Sequence, residues 1–187
     1  MVKIIRNIIG TVFKRISFFI FKYKVLYKKN VIIDNTVKLY FNEGNLEISN
    51  DVVIAAYTVL YAIDSDHSSE KGRLKIGNNT SIGEFNNIRA AGGSIVIGNN
   101  CLISQFVTIV ASNHNIERGK NINVQGWGEK KTGVVIGNDV WIGANCVRLP
   151  GVEIGNGCVV AAGSIVTKSI PENSIIMGAP GKVVKER

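Results

Sequence analysis

The chain carries two histidines, His67 and His114, and three cysteines, Cys101, Cys146 and Cys158. A neutral imidazole accepts a proton near pH 7, so histidine is the side chain to seek where a hydroxyl or amine must be deprotonated as it attacks. A lone surface histidine is ordinarily uninformative, but these two share a setting: each lies where an otherwise regular repeat fails. The cysteines do not. Each falls where the repeat wants a small interior side chain, so they are expected to be buried and reduced. An odd count with no secretory signal agrees with a reducing cytosol. No serine stands with a histidine and a carboxylate in a nucleophile setting. No glycine-rich phosphate loop joins a strand to a helix, which excludes P-loop and dinucleotide folds.

The repeat has a period of six. Aliphatic residues recur at Ile76, Ile82 and Ile88, at Ile97, Ile103 and Ile109, at Ile136 and Ile142, and at Ile154, Val160 and Val166, with glycine at 77, 83, 98, 137, 143 and 155. Ile48, Ile54 and Leu60 obey the same rule upstream. Neither a helix nor an alternating strand gives that period, so the chain reads as a β-solenoid. Three hexads make a coil of about eighteen residues, and coils stack about 4.8 Å apart. The aliphatic residue fills the interior, and the small residue at the fifth position lets the corner close. Val52, Thr58, Thr80, Val107, Val140, Val152 and Ser164 fit that slot, as do the cysteines.

With 187 residues and 45% hydrophobic content, one domain with a sizeable core is expected. Charge divides the chain in two. Residues 1–33 hold Lys3, Arg6, Lys14, Arg15, Lys22, Lys24, Lys28 and Lys29 and no acidic residue, so the formal +8 belongs to this segment and the solenoid is neutral. The cations interleave with Ile4, Ile5, Ile8, Ile9, Val12, Phe13, Ile16, Phe19, Ile20 and Phe21 at helical spacing, which predicts a basic amphipathic helix over residues 1–30. Lys14 and Arg15 interrupt the apolar run a transmembrane helix needs, and no small-residue cleavage site follows Ile20. Contact with a membrane surface, packing on the solenoid or an oligomer, and a removed targeting segment remain alternatives. The cations lack a motif that reads nucleic acid, so no nucleic-acid partner is expected.

Function on a rigid solenoid is expected where the chain leaves it. One excursion interrupts the register between Leu60 and Leu74, and the larger spans residues 112–133, opening near His114. The segment from Ile136 to Val184, IGNDVWIGANCVRLPGVEIGNGCVVAAGSIVTKSIPENSIIMGAPGKVV, closely resembles the terminal coils of hexapeptide-repeat acyltransferases, in particular the maltose, galactoside and surface-polysaccharide O-acetyltransferases. The resemblance extends over residues 31–187. It implies an all-β fold, a left-handed parallel β-helix with an extended catalytic loop, here following an N-terminal amphipathic helix. Handedness comes from the resemblance, since right-handed crossovers dominate elsewhere.

The resemblance also implies chemistry. In these acetyltransferases the catalytic histidine opens the loop that follows a coil written IG-N, and IGNNCLISQFVTIVASNH places His114 there as general base, followed by Asn115 where relatives continue with proline. The acetyl group would pass directly from acetyl-CoA to the acceptor, with no covalent acyl-enzyme and no metal. An imidazole base wants a partner to hold its tautomer; Asp64, Asp66, Glu84, Glu117 or a backbone carbonyl are candidates. Asn86, and Asp64 beside it, stand as acceptor-binding candidates, although Asn86 at a fifth hexad position reads equally as a corner residue bonded to backbone. Trp141, Gly143, Ala144, Ala162 and Gly163 would line the coenzyme A groove, with Lys168, Lys182 and Lys185 meeting the phosphates. Relatives often carry arginine at the last two positions, and lysine loses the bidentate fork. Homotrimers with intersubunit sites are implied by the same resemblance.

The function so implied is acetyl-CoA-dependent O-acetylation of a sugar in bacterial surface polysaccharide or lipopolysaccharide biosynthesis, in the cytoplasm and peripheral to the membrane if residues 1–29 bind it. Acetylation of an antibiotic or an aminosugar nitrogen would use the same histidine. A non-catalytic scaffold is the alternative from another class. Two histidines in separate loops fall short of the three that a γ-type carbonic anhydrase zinc site needs.

Overall fold

The computed structural model describes residues 29–64, 68, 70–128 and 132–187. The helix expected over residues 1–30 lies outside this set except for Lys29 and Asn30, which form a turn. From Ile32 onward the six-residue period becomes a three-sided prism of parallel strands. The first side, face A, stacks Ile32–Ile33, Val53–Ile54, Ser81–Ile82, Leu102–Ile103, Trp141–Ile142, Val159–Val160 and Ser174–Met177. Face B stacks Lys38–Phe41, Val59–Ala62, Asn87–Arg89, Thr108–Val110, Val147–Arg148 and Ile165–Val166, and face C stacks Leu46–Ile48, Leu74–Ile76, Ile95–Ile97, Val134–Ile136 and Val152–Ile154. The fold is the expected all-β left-handed parallel β-helix.

Register explains the aliphatic period. Ile54, Ile82, Ile103, Ile142, Val160 and Ile176 lie one above another inside face A, and Ile48, Ile76, Ile97, Ile136 and Ile154 do so inside face C. All are buried. Each coil thus roofs the one below, and the core is a continuous column of branched side chains. The face B column runs Leu60, Ile88, Ile109 and Val166 with one exception: Arg148 occupies the aliphatic place between Ile109 and Val166 and is fully buried.

The fifth position does more than fill space. Thr58 Oγ1 donates to the Gly83 carbonyl at 2.8 Å, Thr80 Oγ1 to Gly98 at 2.9 Å, Cys101 Sγ to Gly137 at 3.1 Å and Cys146 Sγ to Ala161 at 3.1 Å. A short donor at this slot satisfies a corner carbonyl that the strand ladders leave open. The cysteines are free and buried, as expected. Burial pushes the Cys101 and Cys146 thiols above their ordinary pKa, which keeps them protonated.

At the corner between faces C and A, the recurring Ile-Gly-Asn has a mechanical meaning. Asn99 Oδ1 accepts from Asn78 N at 2.7 Å, Asn138 Oδ1 from Asn99 N at 2.8 Å and Asn156 Oδ1 from Asn138 N at 2.7 Å. The glycine before each asparagine lets successive corners approach. A Cβ on Gly137 would sit 2.7 Å from Asn156 Oδ1 and 2.8 Å from Asn156 N. Gly137→Ala is therefore expected to cost about 1–3 kcal/mol by overpacking, measurable as a lowered midpoint in urea unfolding.

The stack ends in a hairpin. Lys182–Glu186 folds back antiparallel on Ser174–Met177, and Arg187 bonds Asp139 Oδ2 at 2.8 Å, tying the tail to the C–A corner below. This hairpin is the expected closure of a bare solenoid end.

Candidate active site

Both excursions leave the corner between faces B and C. The smaller follows Val59–Ala62, and Asp64 closes it: its Oδ1 accepts from Asn45 Nδ2 at 2.9 Å and from Gly72 N at 3.0 Å. His67 and Asp66 lie outside the described residues. Two coils above, the larger excursion leaves after Ala111 and returns at Gly133, whose N–H donates to the Ala111 carbonyl at 2.7 Å. Between these points Asn113–His114 pairs antiparallel with Trp127–Gly128, with His114 opposite Trp127.

That pairing sets the imidazole. The His114 ring stacks on the Trp127 indole, with centroids 4.5 Å apart and planes 22° from parallel. Trp127 itself rests on the corner of the coil below: a Cβ on Gly92 (φ +64) would lie 3.1 Å from the indole. A larger residue at position 92 would displace the platform. Asn115 Nδ2 donates to the Trp127 carbonyl at 3.2 Å, so the residue after His114 holds the hairpin. His114 itself is exposed. An exposed imidazole held flat against an indole can accept a proton from a ligand entering at the loop mouth.

Among the described residues, the carboxylates considered as its partner, Asp64, Glu84 and Glu117, do not hold the ring. Asp64 is committed to Asn45 and Gly72. Glu117 pairs with Lys120 Nζ at 2.6 Å, which lowers the Glu117 pKa and raises that of Lys120. Glu84 is exposed at the opposite corner, between faces A and B. Trp127, which positions His114, was not readable as a partner, because the cross-strand register inside a non-repeating loop carries no period.

Two residues considered for the acceptor make bonds within the fold. Asn86 is the first. It is 1% exposed; its Nδ2 donates to Gly83 at 3.0 Å and its Oδ1 accepts from Val107 N at 2.5 Å. It closes the A–B corner, as its hexad position allows. Asn86→Ala is expected to cost about 1–3 kcal/mol, because the buried Val107 N–H loses its partner while Gly83 O keeps only Thr58 Oγ1, with acceptor affinity of the folded protein unchanged; thermal melts beside binding measurements check this. Asp64, likewise, is an anchor for its own loop.

The expected donor residues separate into groups. Gly143 with Ala144, and Ala162 with Gly163, occupy the A–B corner on successive coils, and Trp141 lies half-exposed on adjacent face A with Nε1 donating to Ser104 Oγ at 3.2 Å. A Cβ on Gly143 would meet Ala162 N at 2.7 Å, so close stacking requires glycine there, while Gly163 (φ +73) faces open space. Lys182 and Lys185 project from the terminal hairpin beside face A. Lys168 is exposed on the B–C corner, with His114 rather than with this group.

Below the small residues, the A–B corner carries an aromatic ladder. Tyr57 stacks on Phe85 at 5.0 Å and Phe85 on Phe106 at 5.0 Å, all half-exposed. Their φ values are +59°, +55° and +58°, a left-handed conformation that costs bulky residues about 1–3 kcal/mol each. Asn145 and Gly163 follow in the same column. The stacked rings therefore end at Phe106, and the column continues with the smaller Asn145 and Gly163. Among the described residues no group of three or more His, Cys, Asp or Glu side chains is placed to hold a metal ion, and no helix is long and apolar enough to cross a membrane.

Residues 133–168 match the hexapeptide repeat of succinyl-transferase. A candidate lipopolysaccharide biosynthesis O-acetyl transferase of Escherichia coli (strain K12), WbbJ, is 53% identical over 57 residues, 30% of this chain and 29% of that protein. The galactoside O-acetyltransferase of the same strain is 53% identical over 53 residues, 28% of this chain and 26% of its own length. The aligned segments thus span under a third of these relatives. Among solved structures, AntD, an N-acyltransferase from Bacillus cereus in complex with dTDP and 3-hydroxybutyryl-CoA, superposes with a TM-score of 0.70 at 26% identity, covering 85% of this chain and 81% of AntD.

Proposed function

Taking the chain as a hexapeptide-repeat β-helix of the acyltransferase kind, we propose that it is an acetyl-CoA-dependent O-acetyltransferase acting on a sugar hydroxyl, with His114 as general base. The observation that carries this reading is the exposed imidazole on an indole platform, on a loop anchored at both ends to a rigid corner. As the hydroxyl attacks the thioester carbon, Nδ1 or Nε2 of His114 takes its proton. The C–S bond breaks as the tetrahedral intermediate collapses, and coenzyme A leaves as a thiolate that is then protonated. No cysteine takes part, since all three are interior.

The donor would lie along the A–B corner above the aromatic ladder, with the pantetheine arm against Gly143, Ala144, Ala162, Gly163 and Trp141, and the phosphates near Lys182 and Lys185. That corner and the corner bearing His114 are different edges of one prism, so a site using both closes between two copies, in keeping with a homotrimer. A role in surface polysaccharide or lipopolysaccharide biosynthesis is supported by the likeness to WbbJ, and residues 1–29 would hold a cytoplasmic trimer against an anionic leaflet near such an acceptor. The likeness to AntD supports a second reading, transfer to an aminosugar nitrogen. The two readings differ in one acceptor atom.

Calorimetric titration of the full chain with acetyl-CoA tests the donor half without any guess at the acceptor. Saturation near one site per chain is expected. A folded oligomer that binds no acetyl-CoA would overturn the reading in favour of a scaffold. Paired hydroxyl and amino sugars then separate O- from N-acetylation by mass spectrometry of the products.

A further inference from the structure

Face B carries, beside the base of the His114 loop, polar groups without an ion-pair or hydrogen-bond partner at Arg89 and Asn87 Oδ1 among the described residues. Asn87 and Arg89 point outward from one strand, with Asn87 between Val59 and Thr108, and Arg89 between Tyr61 and Val110. The Arg89 guanidinium lies over the Tyr61 ring, 4.3 Å from its centroid, and Tyr61 leans on Tyr40 at 5.9 Å. Among the described residues no carboxylate pairs with Arg89; the ion pairs join Lys75 to Glu47, Lys120 to Glu117 and Arg187 to Asp139. Asn87 Oδ1 is shielded from solvent and accepts no hydrogen bond.

These groups sit next to the catalytic loop. The strand holding Arg89 runs into the corner at Gly92, against which Trp127 packs. Val110, in register with Arg89, is four residues before His114. An unpaired guanidinium held by an aromatic face, beside the Asn87 amide, suits a ligand that carries an anion.

We propose that Arg89 and Asn87 form the acceptor-recognition site, and that the acceptor is an anionic sugar whose phosphate or carboxylate is gripped by the Arg89 fork while its ring lies against the Asn87 amide. This rests on the transferase reading and narrows it: a neutral sugar would leave the guanidinium unanswered. Arg89 is then a specificity residue, distinct from the base.

The test is calorimetry of the full chain with glucose 1-phosphate, glucuronate and methyl glucoside, each with wild type, Arg89→Gln and Arg89→Lys, after melts confirm that the variants fold. Wild type is expected to bind one of the anionic sugars more tightly than methyl glucoside, and which one it prefers distinguishes phosphate from carboxylate. Arg89→Gln should weaken that binding about ten- to a hundredfold, the range for hydrogen bonds to charged groups. Arg89→Lys should fall between, keeping charge without the fork, and methyl glucoside should be indifferent to both. Equal binding of all three sugars by wild type, or equal losses for charged and neutral sugars in Arg89→Gln, overturns the proposal. Acetyl-CoA titration of the same samples separates the failures. Donor binding without anion preference sinks this inference alone. Anion binding through Arg89 without donor binding keeps the site and sinks the transferase.

Discussion

His114→Ala is expected to slow acetyl transfer by about 10²–10⁴-fold, the usual contribution of a positioned general base, while acetyl-CoA binding and the melting temperature stay at wild-type values. The separation follows from where the residue sits. His114 is exposed on a hairpin outside the core, so its removal opens no interior cavity, and the groove proposed for the donor lies on another corner. Trp127→Ala should give a smaller loss in kcat, since the imidazole remains but is free to turn. A coupled thiol-release assay with a responsive acceptor reads both. Equal rates for wild type and His114→Ala would remove the base from the mechanism.

Arg148→Leu is expected to stabilise the protein by about 1–4 kcal/mol, as replacing a buried ion with a packed aliphatic side chain often does. The guanidinium fills a place that five other coils reserve for an aliphatic residue. It crosses the interior to face C with only two long hydrogen bonds, Nη2 to Val135 O at 3.3 Å and to Val152 O at 3.4 Å, and leaves Nε and Nη1 without partners. Burial pulls its pKa down from the ordinary guanidinium value to about 9, so it is still charged at neutral pH. Because the folded pKa is the lower one, the unfolded chain holds the proton more tightly above about pH 9, and the penalty is full below pH 9 and fades above it. The gain from Arg148→Leu should accordingly be largest near pH 7 and shrink by pH 10, which urea unfolding at the two values would show. A net loss of stability at pH 7 would mean that the two carbonyl contacts outweigh the burial of charge.

The β-helix was legible because its cause repeats. An aliphatic residue every sixth position, a small residue at the corner and glycine before asparagine each answer one contact that recurs in every coil, and the registers place Ile82, Ile103 and Ile142 as that period requires. Arg148, six positions after Ile142, fell outside the aliphatic series and so drew no reading from the sequence. The site was harder to read. His114 stood out by lying where the period failed, but its stack on Trp127 depends on pairing within a loop that repeats nothing. Asn86 and Asp64 were polar residues near a break, and sequence alone does not say whether an amide turns to a ligand or to a backbone carbonyl. The aromatic ladder hid for a different reason. Tyr57, Phe85 and Phe106 occupy left-handed positions that usually select asparagine or glycine, so the pattern of residue types argued against the conformation they adopt.

The backbone bond from Gly133 N to Ala111 O means that the chain steps off the prism and back onto it at one point. Residues 112–132 are thus a closed insert whose ends the coils fix regardless of what lies between. Lengthening such a loop raises its closure entropy only slowly, so inserts of other lengths could be grafted between Ala111 and Gly133 with the solenoid unaltered. The architecture amounts to an interchangeable tool head on a fixed handle, and exchanging that segment would change what stands over the Asn87–Arg89 strand while leaving the strand itself in place.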